Sequence, residues 1–156
     1  MRIYILSRNK DLYSTRRLVE EATAKGWEVR VIDYLKCTIE IMKNELVVNY
    51  EGKVLPTPDA IIPRIGASRT FYGAAMVRHF EMIDVFSTTG NLALTRSRDK
   101  LRSLQVLSKN GVDMPRTVFA SNKSNAKDVI ELSGGAPLVL KILEGTVAGV
   151  PPKGGR

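Results

Sequence analysis

An α/β fold built around a parallel sheet is what the sequence predicts. A short, mostly apolar run over residues 2–7 carries Ile3, Ile5 and Leu6 and has the length of a buried strand. Residues 12–25 then show helical spacing through Leu18, Val19 and Ala22, and Gly26 stands where a helix stop belongs. Val29, Val31 and Ile32 form a second strand that ends at Asp33. A β-α-β order of this kind favours parallel strands joined by a right-handed crossover.

The remaining elements follow in turn. Residues 46–50 and 53–55 flank Glu51-Gly52, which fits a short hairpin. Residues 59–65, DAIIPRI, read as a further apolar strand, and Pro63 places its end or a sheet edge there. Residues 70–85 read as a helix whose core stripe runs through Phe71, Ala75, Met76, Phe80 and Ile83. The stretch 88–100, TTGNLALTRSRDK, is polar and turn-prone, and a domain boundary fits within it. Leu101, Leu104 and Leu107 define a helix stopped at Asn110-Gly111. A strand over 117–120, a helix over 125–133 closed by Gly134-Gly135, and a strand over 138–142 complete the pattern. The last ten residues, rich in Gly and Pro, are not expected to hold regular structure.

Composition narrows the function classes. Hydrophobic residues make up 44% of the 156, enough for a buried core. No apolar run approaches the roughly 18 residues that span a bilayer, and the amino terminus lacks the pattern of a signal peptide, so the reading is cytoplasmic. Cys37 is the single cysteine, which rules out an intrachain disulfide and a cysteine-based zinc site. It reads as a small buried hydrophobe, with His79 the one histidine that could activate it as a thiol. The net charge of +8 favours anionic partners: nucleotides, acidic peptides or nucleic acid. Nucleic acid ranks low, because only 6% of residues are aromatic and Phe71, Phe80 and Trp27 read as core. Neither G-x-G-x-x-G nor G-x-x-x-x-G-K-[ST] occurs. Asp33, Asp59 and Asp84 stand apart and suit caps and element ends better than a metal site.

Two segments carry candidate chemistry. In GGAPLVLKILEGT, residues 134–146, Lys141 lies within an apolar run and is followed by Glu144-Gly145-Thr146. A strand lysine must find an anion or reach water, and a glycine-bearing loop lets backbone amides approach phosphate oxygens. An edge-strand lysine pointing into solvent accounts for the same pattern. In residues 97–115, Arg98, Lys100 and Arg102 crowd the first turn of a helix that Ser97 or Asp99 could cap. Cations at that end oppose the helix dipole but suit a bound phosphate. A basic, solvated helix start is the alternative.

The order of these pieces is more specific than any one of them. ILSR near the start, PRIG at 63–66, TFYG at 70–73, RDKLRSLQVL at 98–107 and PLVLKILEGT at 137–146 follow one another. The series resembles the RimK family of α-L-glutamate ligases, within the ATP-grasp superfamily. The resemblance implies a Rossmann-like pre-ATP-grasp α/β domain with a parallel sheet over residues 1–95. An incomplete first part of an ATP-grasp domain follows over 96–156. It implies that Lys100 and Lys141 contact ATP phosphates and that the loop at Glu144, Gly145 and Thr146 closes over them. Ser7 and Arg64 fall in segments that face the substrate cleft of related enzymes; for Arg64 a structural ion pair is the alternative.

The reaction implied is an MgATP-dependent ligation. ATP phosphorylates a carboxylate and an amine displaces the phosphate. In RimK-type enzymes glutamate extends the C-terminus of an acidic peptide or ribosomal protein. The family continues past the EGT segment, whereas Val147-Ala148-Gly149-Val150 departs from its pattern and the sequence stops at Arg156. The expectation is therefore an incomplete chain with little or no ligase activity, without the residues that hold Mg2+. An opened apolar strand over 138–142 would promote self-association into homo-oligomers. The competing class is a non-catalytic basic module that binds ribosomal or other acidic partners.

Overall fold

The computed structural model describes residues 1–121 and 126–141. The chain divides into two compact units, Met1–Arg98 and Asp99–Arg156.

The first unit is an α/β layer structure. Strand β1 (Arg2–Leu6) leads into helix α1 (Tyr13–Ala24) and strand β2 (Glu28–Ile32). β2 pairs with β1 in parallel, from Arg2↔Glu28 to Leu6↔Ile32. Gly26 ends α1 as expected. Its φ of 74° is a left-handed conformation open to glycine, and the Trp27 amide bonds back to the Ala22 carbonyl at 3.1 Å.

Two hairpins interrupt the parallel order. β3 (Cys37–Met42) pairs antiparallel with β4 (Glu45–Tyr50), which pairs with β5 (Lys53–Val54). Glu51 and Gly52 both have positive φ, the geometry of a type I′ turn, so the predicted hairpin stands where expected. The sequence reading omitted β3, although CTIEIM alternates in the manner of a half-buried strand. β6 (Ala60–Pro63) returns to the main sheet beside β1, and β7 (Phe86–Ser87) lies beyond it. The strand order is β2-β1-β6-β7, all parallel. Pro63 is the last residue of β6, where its missing N–H costs no ladder bond.

Helix α2 (Thr70–Met82) crosses from β6 to β7. Its buried face is Gly73, Ala74, Met76, Val77, His79 and Phe80, not the expected stripe through Phe71. Phe71 and Phe80 are nine positions apart, half a rotation at 100° per residue, so one helix face cannot bury both. Phe80 is 1% exposed and Phe71 is 90% exposed. Ile83 packs against the core from just beyond the helix, and Trp27 is half-buried.

Strand alternation divides the rest. Tyr4, Leu6, Ile32 and Ile61 join Met76, Val77 and Phe80 in one cluster on the α2 side. Ile3 and Ile5 are buried on the opposite face, where Ser7 meets Thr15 of α1.

The polar stretch after β7 is not a turn region. It holds helix α3 (Asn91–Arg98), which packs on α2 through the buried Leu94. Glu81 of α2 anchors its start by accepting from the Asn91 amide at 2.9 Å and from the Asn91 side chain. That carboxylate lies ten positions upstream, so the capping signal is not adjacent in sequence.

In the second unit, α4 (Lys100–Lys109) and α5 (Ala126–Leu132) are the helices among the described residues. The strands expected over 117–120 and 138–142 do not form in their described parts, which include Leu138 to Lys141. Among the described residues no segment pairs with them, and a strand without a partner has no ladder to stabilise it. Val139 and Leu140 are 83% and 91% exposed.

His79 makes the first unit sensitive to acid. It is buried, and its Nε2 has no hydrogen-bond partner. Burial holds its pKa below the ordinary 6.5, against a smaller opposing effect of a backbone hydrogen bond at Val47. The unfolded chain therefore binds the proton more readily, and folding stability falls as pH drops through 6.5 toward the lowered value. Urea midpoints measured at successive pH values from neutral to about 5 should fall more steeply for the natural chain than for His79→Leu. Parallel slopes would remove His79 as the cause.

Candidate functional site

The strand order places a crevice. From β1 the chain passes to β2 on one side, and from β6 it passes to β7 on the other. The direction reverses between β1 and β6, and in open parallel sheets ligands bind outside the carboxyl ends of the strands at such a reversal. The loops there are residues 7–12 and 64–69.

Both candidate residues of the first unit stand at this edge. Ser7 directly follows β1 and Arg64 directly follows β6, whose last register pair is Leu6↔Pro63. The Arg64 amide continues the ladder by donating to the Leu6 carbonyl at 2.9 Å, and the Ser7 amide donates to the Ile32 carbonyl at 3.0 Å. Their side chains reach neighbouring positions in the first turn of α1. The Arg64 guanidinium donates to Ser14 Oγ at 2.8 Å, and Ser7 Oγ lies 3.3 Å from Thr15 Oγ1.

Their environments differ. Ser7 is buried; its hydroxyl donates to the Asn9 carbonyl at 3.0 Å and accepts from the Asn9 amide at 3.3 Å. Those bonds shape the loop. Arg64 is exposed and belongs to no ion pair among the described residues; its guanidinium is held by Ser14 instead.

Arg98 also serves this edge. It is the last residue of α3, not part of the first turn of α4, and it donates to the Ile65 carbonyl at 2.7 Å. Sequence reasoning assigned it to the phosphate end of the next helix, because the α3–α4 break at Asp99 leaves no glycine or proline to mark it.

In the second unit, Asp99 caps α4 by accepting from the Arg102 amide at 2.9 Å, one of the two caps expected. Lys100 is the first residue of that helix. Lys141 is exposed, in a segment without helix or strand. Glu144, Gly145 and Thr146 lie outside the described residues.

The other reactive side chains do not assemble into a site. Cys37 is buried and its thiol is pushed up to about 12, chiefly by burial and then by Asp33, so it remains protonated at neutral pH. Among the described residues no three His, Cys, Asp or Glu side chains are grouped to hold a metal ion. Two grooves of about 350 and 210 Å³ flank β5, and none of the residues named for the site lines them. No helix among the described residues is long and apolar enough to cross a membrane.

Comparison with known proteins settles the family. Residues 1–94 match the RimK pre-ATP-grasp domain. The chain belongs to the RimK family. Residues 97–150 match the RimK-like ATP-grasp domain. Among relatives, the chain is 58% identical over 146 residues to the probable alpha-L-glutamate ligase 1 of Pseudoalteromonas atlantica, covering 94% of this chain and 48% of that protein. It is 56% identical, with the same coverage, to the probable alpha-L-glutamate ligase of Psychromonas ingrahamii. This RimK-family chain thus spans about half the length of the curated relatives it matches.

Solved structures agree in fold. The macrocyclase MdnB from Microcystis aeruginosa matches with a TM-score of 0.62 at 14% identity, over 86% of this chain and 52% of that one. The ATP-grasp ligase PsnB, complexed with a phosphomimetic precursor variant, Mg and ADP, matches with a TM-score of 0.61 at 15% identity, over 86% and 55%. The RimK-family chain is therefore an α/β protein with a parallel-sheet pre-ATP-grasp domain and part of an ATP-grasp domain.

Proposed function

We propose that this chain supplies the pre-ATP-grasp domain, residues 1–95, and the first part of the ATP-grasp domain, residues 96–156, of an ATP-dependent carboxylate–amine ligase of the RimK type. The observation that carries the reading is the succession of two family matches, 1–94 and 97–150, along one chain. In the reaction proposed, an acceptor carboxylate attacks the γ-phosphorus of ATP and ADP leaves. The amine of glutamate then attacks the acyl carbon, phosphate leaves and the nitrogen loses a proton. The acceptor is the C-terminus of an acidic peptide or ribosomal protein, in the cytoplasm.

Within that reading, Lys100 and Lys141 offset phosphate charge, and Glu144, Gly145 and Thr146 close over the phosphates. Catalysis of this type depends mainly on positioning and charge neutralisation. Arg64 faces the acceptor, and Ser7 holds the loop that borders it. Mg2+ enters through the family alone, and none of the described residues is assigned to it. The chain corresponds to 48% of its relatives' length, so these residues are assigned the phosphate side of the reaction and not the whole of it. Turnover of MgATP and glutamate onto an acidic peptide by residues 1–156 alone would overturn that division. Self-association through the exposed Leu138, Val139 and Leu140 belongs to the same proposal; sedimentation should show mass rising with concentration, and a constant monomer would count against it.

Calorimetric titration with MgATP tests the phosphate site. The natural chain should bind, and Lys141→Ala should lose about tenfold or more, the scale of a hydrogen bond to a charged group. Equal binding by both would remove Lys141 from the site. No binding by either would mean that residues 1–156 do not form the site, and would favour the basic binding module.

A further inference from the structure

We propose that the open edge of β3 takes up an extended segment of a partner protein by strand addition, the segment carrying a Lys or Arg between two apolar residues. The surface is separate from the ligase reading, since no residue named for that reaction lies in β3.

The hydrogen-bond pattern locates the open groups. β3 ends the order β3-β4-β5, so one of its sides has no strand beside it. In an antiparallel pair, successive residues turn their backbone groups alternately toward the partner strand and away from it. The Glu51 amide donates to the Lys36 carbonyl at 3.2 Å, one step beyond the pair Cys37↔Tyr50. Counting on from there, Thr38, Glu40 and Met42 bond inward to β4, and Cys37, Ile39 and Ile41 turn outward. The outward groups of Cys37 are already taken: its amide donates to the Tyr34 carbonyl, and its carbonyl accepts from the Tyr72 hydroxyl at 2.6 Å. Among the described residues nothing takes the outward groups of Ile39 and Ile41.

The other edges are better protected. β5 and β7 are two residues long, and Pro56 follows closely on β5. Val29 and Val31 of the edge strand β2 are half-buried. β3 runs for six residues without a proline, and Ile41 is 73% and Met42 45% exposed. An open, partly apolar edge of that length is a template for another chain.

Charge chooses the partner. Glu40 stands exposed between Ile39 and Ile41; it accepts from the Asn49 side-chain amide at 3.1 Å and belongs to no ion pair among the described residues. A second copy is a poor occupant. Antiparallel pairing of two β3 edges through these outward groups sets Ile39 against Ile41 of the second copy, and therefore Glu40 directly against Glu40. Like charges directly opposite are destabilising. A cation in that position reverses the sign, and its apolar neighbours fall on the face shared by Ile39 and Ile41. Main-chain bonds then supply affinity and the alternating side chains supply specificity.

The test titrates the isotope-labelled full chain with a short peptide of Val and Thr around one central Lys, following amides by nuclear magnetic resonance. The Ile39 and Ile41 amides should shift with added peptide and exchange more slowly with solvent, while those of Thr38 and Glu40, already bonded, keep their rates. The same peptide with a central Glu should bind at these amides about fivefold more weakly, the upper end for one cross-strand charge pair. Glu40→Lys should invert that order. A peptide N-methylated at the amides that would face β3 should not bind. No response at Ile39 and Ile41 overturns the proposal, as does equal binding of the Lys and Glu peptides or unaltered binding after N-methylation. Protection of the same two amides by chain concentration alone would overturn it in favour of a second copy. Circular dichroism of Glu40→Lys should match the natural chain, because the side chain is exposed, and the N-methylated peptide tests strand addition on the natural chain without any substitution.

Discussion

Gly73→Val should destabilise the first unit by about 2–3 kcal/mol, the scale of overpacking a filled core. A Cβ at position 73 would stand 2.3 Å from Cγ2 of Ile65, closer than any real contact. Ile65 is itself buried, and its carbonyl is held by Arg98, so it has little room to yield. The gain from replacing a helical glycine, at most about 1 kcal/mol, does not offset the clash. The effect extends beyond stability, because Ile65 adjoins Arg64 in the loop at the carboxyl edge. Urea unfolding measures the loss, and Ile65→Ala in the same chain should restore part of it by opening the space. A Gly73→Val chain as stable as the natural one would mean that Ile65 moves freely, and the loop would not depend on this contact.

Phe80→Ala should cost about 3–5 kcal/mol, the range for emptying a buried aromatic site. Phe71→Ala should stay within about 0.5 kcal/mol of the natural chain, as exposed substitutions usually do. The pair tests the rotation of α2 about its axis. Phe80 lies in the cluster with Tyr4, Leu6 and Val77, whereas Phe71 faces solvent at the carboxyl edge. Thermal unfolding of the two variants side by side separates the effects. Similar losses would place Phe71 in a core and contradict this rotation of α2.

The candidate site was legible to different depths. Ser7 and Arg64 were drawn from separate segments, ILSR and PRIG, by resemblance, and the sheet places them one residue beyond a register pair. Nothing in the spacing indicated that Ser7 Oγ would be enclosed by Asn9 and Thr15 while Arg64 stayed exposed. Gly73 was visible in TFYG, but its reason, the Ile65 side chain beneath it, is a contact between distant segments. Arg98 was read as part of the wrong helix, because Glu81 starts α3 from ten positions upstream.

The sequence by itself determined the β-α-β opening, the C-terminal stops of α1 and α4, the Glu51-Gly52 turn and the family. Those features depend on interactions within a few residues, or on the residues themselves. Tertiary structure decided which aromatic of α2 is buried, that the polar stretch 88–100 holds a helix, and that the described parts of the runs 117–120 and 138–142 are not strands. A helix closes its hydrogen bonds within its own segment, and local spacing reveals it. A strand closes them on another segment, and a buried face is defined only by what covers it.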